Sequence, residues 1–429
     1  MEKLEFTQVN ETLYHEKLEN GLEVYILPKP GFNKTYATFT TKYGSVDNHF
    51  KPLEQDDFKL VPDGIAHFLE HKMFEKEDGD VFQQFSHQGA SANAFTSFNK
   101  TAYLFSSTNN VELNLKTLLD MVQDPYFTEQ TVEKEKGIIG QEIMMYDDNP
   151  DWRVYFGVIE NMYHNHPVKI DIAGTVESIS HITAEMLYEC YHTFYHPSNM
   201  LLFITGPIDP EKIMNMIKQD QAAKEYKAAP KIERIFDEEP ESVASKKQTL
   251  EMNVQIPKCF VGIKALNVEQ KGKEMLKQEL VISLLFDLLF SKSSDLYEEL
   301  YTSELIDDTF QFEYSQEQGF GFAVVGSDSK DPDQLATKLE SILLEAKDGK
   351  HLSESALERS KKKKIGGFLR SLNSQEYIAN QFTRYVFNDM NLFDVVPVLE
   401  EISFQDLLDT AKSFIDENRM TVCQVVPKK

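Results

Sequence analysis

One series of apolar segments runs through this chain twice, and that repetition restricts the fold more than any single motif. In the first half, the strand-like runs LEVYILPK and TYATFTTKYGS precede a helical pattern from Ile65 to Lys76, and TAYLFSST precedes VELNLKTLLDMV. In the second half, TLEMNVQIPKCFVGIKAL precedes KEMLKQELVISLLFDLLF, and FGFAVVGSDS precedes DQLATKLESILLEA. The correspondence continues with FTEQTVEKEKGIIGQE against LSESALERSKKKKIGGF, each a turn, an N-cap and a helix. It closes with SISHITAEMLYECYHTFYHPSNMLLFITGP against EISFQDLLDTAKSFIDENRMTVCQVVP, each a helix and then a strand. Hairpin-like strand runs with segregated helices predict an α+β protein of two homologous domains, each a mostly antiparallel sheet packed with helices. Residues 222–247 are charged, proline-broken and poor in large apolar groups, which marks them as the linker. The expected domains are therefore residues 1–221 and 248–429. A chain of 429 residues is in any case too long for one ordinary core.

Charge and apolar content exclude several functions. A formal charge of −26 leaves nothing to neutralise phosphates, so nucleic acid is not an expected partner, and an anionic membrane surface is equally unsuited. The acidity reads as a solvated surface, with an acidic cavity for basic peptides as the sharper alternative. With 41% hydrophobic residues the chain can bury real cores and is not disordered. The longest apolar run, Leu280 to Phe290, is interrupted by Asp287 and too short to span a membrane; it reads as a buried helix. The first twenty residues carry no signal-peptide pattern. Cys190, Cys259 and Cys423 are odd in number and far apart, which fits a reducing compartment and core packing. A soluble cytoplasmic protein is expected.

The chemistry concentrates in HFLEH, residues 67–71. On a helix His67 and His71 are i and i+4, so both rings leave one face a turn apart and can reach one Zn²⁺. Glu70 falls beside them, where a carboxylate can take a proton from a metal-held water. The order H-x-x-E-H is the reverse of H-E-x-x-H and marks an inverted zincin. A third ligand is available from EKEKGIIGQE, where Glu135 and Glu142 lie seven residues, about two turns, apart on one helix face. Val132, Ile138, Ile139 and Ile143 give that helix its expected buried side. Two histidines and one glutamate leave a coordination position open for reaction, and the other carboxylate can orient a ligand histidine or water. GASANAFTSFNKTAYLF, with Asn93 at its centre, reads as an edge strand to which an extended peptide can add. His164 and His166 lack a helical relation to a carboxylate and read as structural, and Lys361 to Lys364 as a solvated helix face.

These residues resemble the M16 family of inverzincin peptidases, and most closely its bacterial YmfH-type members. The likeness runs through NGLEVYIL, YGSVDN, HFLEH, GASANAFTSFNKTAY, EKGIIGQE and YHPSNMLLFITGPI, nearly the whole chain. It implies two homologous α+β domains and one Zn²⁺ per chain held by His67, His71 and Glu142. It further implies Glu70 as general base with Glu135 in support, and Asn93 and Ala94 as substrate contacts. In the family the ligand glutamate follows another by seven residues, which selects Glu142 over Glu135. The second half departs from the pattern. Ser360 and Gly367 stand where Glu135 and Glu142 stand in the first half. The family's Arg and Tyr, seven apart, are replaced by Tyr301 and Asp308, while Arg370 and Tyr377 have the spacing in another element of the repeat. The resemblance therefore implies an endopeptidase for short or unfolded peptides that pairs, as a homo- or heterodimer, with another M16-type chain. The alternatives are a catalytically weak scaffold or maturation subunit and a non-peptidase hydrolase linked to elongation factor P modification.

Overall fold

Strand order reproduces the sequence repeat. The computed structural model describes residues 1–53, 55–227, 231–266 and 268–428. Seven strands form the first sheet: β1 (Glu2–Phe6), β2 (Glu11–Lys17), β3 (Glu23–Pro28), β4 (Thr35–Thr41), β5 (Ala90–Thr96), β6 (Thr101–Ser107) and β7 (Met200–Gly206). Their order is β1-β2-β3-β7-β4-β6-β5. Five form the second: β8 (Lys247–Met252), β9 (Lys258–Lys264), β10 (Gln311–Glu317), β11 (Phe320–Asp328) and β12 (Met420–Pro427), in the order β8-β12-β9-β11-β10. Apart from the β1–β2 hairpin, the two sheets match strand for strand. In each, a single parallel pair, β3–β7 or β8–β12, interrupts an otherwise antiparallel ladder. The α+β class and the duplication are thus as the sequence predicts.

Central strands are buried on both faces, which is why TYATFTT and MLLFITG lack polar alternation: every residue of β4 and β7 is buried. One face of the first sheet is covered by α1 (Ile65–Met73), α2 (Val81–His87) and α3 (Val111–Gln123), which pack on β5 and β6. Beyond them in sequence lie α4 (Glu129–Asp147), α5 (Pro150–Met162), α6 (Ala184–Phe194) and α7 (Pro210–Ala222). The second half supplies α8 (Gly272–Phe290), α9 (Pro332–Lys347), α10 (Glu354–Ser371), α11 (Gln375–Phe387) and α12 (Phe404–Phe414). Helix α8 contains the Leu280–Phe290 run and buries it as expected, and no helix among the described residues is long and apolar enough to cross a membrane. All three cysteines are free and buried.

The compact units do not coincide with the two halves of the sequence. The first comprises Met1–Ile143, Asp171–Phe236 and Leu369–Phe387, and the second Met144–Ile170, Asp237–Phe368 and Asn388–Lys429. Helix α5 therefore packs on β8, β9 and β12 of the second unit, and α11 on β4 and β7 of the first. The expected linker is divided as well, although residues 228–230 lie outside the described residues. Arg234, in its first part, pairs with the buried carboxylate of Asp47 and donates to the Lys42 carbonyl at 2.7 Å. Glu239, in its second part, accepts the backbone N–H groups of His164, Asn165 and His166 at 2.7–2.8 Å and pairs with Lys264. His166 of that loop is structural: burial pushes it down to about 4, and its Nδ1 accepts the Val168 N–H.

Two expectations fail. The Lys361–Lys364 run is a solvated face only at Lys362 and Lys363, because Lys361 is buried with its ammonium on the Glu400 and Ile402 carbonyls, and Lys364 donates to Ser283 at 2.6 Å. Ile138 is 48% exposed and leaves the buried side of α4 to Val132, Glu135, Ile139, Gly140 and Ile143.

Candidate metal and peptide site

Helix α1 is held by its first turn. Gly64 has φ +86°, and a Cβ there would collide with the Ala173 carbonyl; one on Gly174 would collide with that of Asp63. Ser178 Oγ also donates to the Asp63 carbonyl at 2.8 Å. This close approach of two chain segments fixes where α1 begins, two residues before His67. Ile65, Phe68, Leu69 and Met73 then enter the core of the first unit, which leaves His67, Glu70 and His71 on the remaining arc.

Helix α4 meets that arc. His67 Nε2 lies 3.7 Å from Glu142 Oε1, and His71 Nε2 lies 3.5 Å from Glu142 Oε2. The three donor atoms fall within 4.8 Å of one another. Those separations exceed hydrogen-bond length. Donors at about 2.0–2.1 Å from a tetrahedral ion stand about 3.3–3.4 Å apart, close to what is seen. The donor set, two imidazole nitrogens and one carboxylate, fits zinc. Among the described residues these three form the only such cluster.

The surrounding groups prepare the donors. Burial, with a smaller push from His71, lowers His67 to about 3, so its ring is neutral at physiological pH. Burial acts against the charged form of His71 too, but Glu135, Glu70 and Glu142 outweigh it and raise its pKa. His71 Nδ1 lies 3.1 Å from Glu135 Oε1, the carboxylate contact that sets tautomer and ring orientation in metal-binding histidines. His67 Nδ1 is buried without a hydrogen-bond partner among the described residues, so packing orients that ring.

Glu70 is 8% exposed, and burial pushes its carboxyl up to about 7 against the hydrogen bond from Thr96. Thr96 Oγ1 donates to Glu70 Oε2 at 2.6 Å. Nothing in the sequence beyond strand alternation singled out Thr96. Glu70, His71 and Glu135 line a groove of about 630 Å³ together with Phe74, Phe82, Ile138, Asn93 and Ala94. Strand β5, which carries Asn93 and Ala94, is the terminal strand of its sheet, as expected of an edge.

The second repeat keeps the frame and changes the chemistry. Where Glu135 reaches His71, Ser360 and Lys363 reach Asp287, the latter at 2.8 Å. Tyr301 is 47% exposed, and Asp308 lies 3.8 Å from Lys292. Arg370 and Tyr377 fall in the 369–387 segment of the first unit.

Comparison with known proteins bears on the family. Residues 61–176 match insulinase (peptidase family M16), and residues 181–364 match the peptidase M16 inactive domain. The uncharacterized zinc protease YmfH of Bacillus subtilis is 64% identical over 99% of both chains. A second protein of that bacterium, the uncharacterized zinc protease YmxG, is 28% identical over 72% of this chain and 75% of its own. The crystal structure of an M16-like peptidase from Alicyclobacillus acidocaldarius superposes with TM-score 0.94 at 40% identity, covering 97% of this chain and 99% of that one. A protease from Helicobacter pylori shares the fold at TM-score 0.82 and 20% identity, with 97% and 99% covered. With its duplicated fold, its H-x-x-E-H helix and a full-length relative at 64% identity, the chain belongs to the M16 peptidase family.

Proposed function

We infer that the protein is a zinc-dependent endopeptidase acting on short or unfolded peptides, with one Zn²⁺ per chain held by His67, His71 and Glu142. The observation that carries this reading is the approach of both Nε2 atoms and the Glu142 carboxylate to a common point beside Glu70. The zinc proteases among its relatives support it. A bound zinc ion would supply Lewis acidity for activating water and polarising the scissile carbonyl. Glu70 takes the proton of the attacking water and returns it to the leaving nitrogen, a task suited to a carboxyl that titrates near neutrality. Glu135 holds His71 in the ligating tautomer. The open side of β5 holds the substrate extended, with backbone pairing at Ala94 and Asn93 contacting it from the groove wall.

The test is hydrolysis of a peptide library alongside elemental analysis. Wild type should carry one zinc and cleave. Glu70→Gln should keep the zinc and lose turnover, and Glu142→Gln should lose most of the zinc. A zinc-loaded wild type that cleaves nothing, alone or with another M16-type chain, would favour a second reading, a non-catalytic subunit of a heterodimer. The match of residues 181–364 to an inactive domain and the absence of ligands at Ser360 and Gly367 favour that alternative. In either reading we place the protein in the cytoplasm, as a dimer with an M16-type chain; a fully active monomer on gel filtration would refute the pairing.

A further inference from the structure

We propose that Thr96 is a positioning residue that couples the substrate-binding edge of β5 to the general base; this rests on the peptidase reading above. Strand β5 pairs with β6 in the register Thr96↔Thr101, Phe95↔Ala102, Ala94↔Tyr103 and Asn93↔Leu104. One step further along the hairpin, Ser97 N–H donates to the Lys100 carbonyl at 2.8 Å, so that pair faces inward. Antiparallel pairs alternate between hydrogen-bonded and non-bonded. Phe95 and Asn93 therefore spend their backbone groups on β6, whereas Ala92, Ala94 and Thr96 point theirs to the open edge.

At Thr96 that open edge ends on Glu70. Its hydroxyl donates to Glu70 Oε2 at 2.6 Å, and its backbone N–H reaches the same carboxylate. The direction of the hydroxyl proton is settled by its neighbour. Thr101 Oγ1, 3.4 Å from Thr96 Oγ1, donates its own single proton to the Tyr43 carbonyl at 2.9 Å. The Thr96 proton is left for the carboxylate, a charge-assisted bond. Ala94, two residues back on the same edge, is then the nearest residue free to pair with a substrate backbone. A peptide lying along β5 meets, in order, a backbone ladder at Ala92 and Ala94 and then the base that Thr96 holds. One strand therefore carries both the open pairing edge and the residue that holds the base.

The experiment compares Thr96→Val, which keeps the shape and strand propensity but removes the donor, with Thr96→Ser, which keeps the donor. Each is assayed as full-length zinc-loaded protein on an internally quenched peptide cleaved by wild type, with zinc content measured in parallel. The expected result is a kcat loss of about 10–100-fold in Thr96→Val, with KM within about twofold and zinc unchanged, and recovery of most of the loss in Thr96→Ser. A kcat unchanged in Thr96→Val overturns the inference while the peptidase reading stands. So does a loss shared by both variants, or one that tracks zinc content, since these report structure and not the hydroxyl. A zinc-loaded wild type without hydrolysis overturns the peptidase reading and this inference with it.

Discussion

Replacing Arg234 by methionine should expose what the linker does. Asp47 has a side chain 5% exposed; burial pushes its carboxyl up, and Arg234 and the Gly44 N–H, 2.8 Å away, oppose that only in part. Removing one partner of such a pair costs about 3–5 kcal/mol, because the remaining charge is stranded. The stranded carboxyl can escape by binding a proton, which bounds the charge penalty. From an ordinary pKa of about 3.9, protonation costs about 4 kcal/mol at pH 7 and about 1.5 kcal/mol at pH 5. The folded variant then holds a proton that the unfolded chain has released, so its stability falls as pH rises between those values. Arg234→Met should therefore lose about 3–4 kcal/mol at pH 7 and distinctly less at pH 5. Adding Asp47→Asn should restore most of the difference. Urea unfolding followed by circular dichroism, with hydrogen exchange at Gly44 and Val46, measures this. Tryptophan fluorescence does not, because the single tryptophan, Trp152, belongs to the second unit. A penalty below about 1 kcal/mol at pH 7, or one that does not shrink toward pH 5, would refute the reasoning.

Two further outcomes are expected. Glu135→Gln should weaken zinc affinity about 10–100-fold in competition with a chelator, because His71 loses its orienting carboxylate; unchanged affinity would remove Glu135 from the site. Asp406 is held at about 2: burial opposes this, but Lys277 and the Ser403 hydrogen bonds together outweigh it. A depressed carboxyl stabilises above its ordinary pKa and ceases to as pH falls through the folded value. Asp406→Asn should therefore be less stable than wild type at pH 7, by under about 1 kcal/mol for so exposed a pair, with the gap closing as pH falls toward 2. Thermal unfolding across that range checks it.

The convergence of His67, His71 and Glu142 was legible because a one-turn histidine spacing and a two-turn glutamate spacing are local statements about one helix each, and a metal-ion motif joins them. The edge position of β5 was legible from its small, alternating residues. Ile138 was misread because apolar type is not position: Val132, Ile139 and Ile143 share a stripe at helical spacing, and Ile138 falls beside it, on the groove. The lysine run was misread for the opposite reason. The acceptors that let Lys361 be buried, the carbonyls of Glu400 and Ile402, lie about forty residues away, and no local pattern announces them. Arg234 belongs with it, a charged residue in a polar stretch whose partner is remote. Nor could periodicity reveal which sheet α5 or α11 covers, since an amphipathic stripe states that a helix needs a surface and not which surface.

That exchange of α5 and α11 has a consequence for how the chain can be made and divided. A protease or gene break between residues 222 and 247 would not release two self-sufficient modules. The front fragment would lack the helix that roofs β4 and β7, and the rear fragment the one that roofs β8, β9 and β12. Each would present to water strand surface that is buried in the intact chain, β4 and β7 in the front fragment and β9 and β12 in the rear, an aggregation hazard. During synthesis the front sheet must wait for a helix encoded some 170 residues after its last strand, so completion of both cores is a late event that depends on the whole chain. The duplication that built this protein has become indivisible.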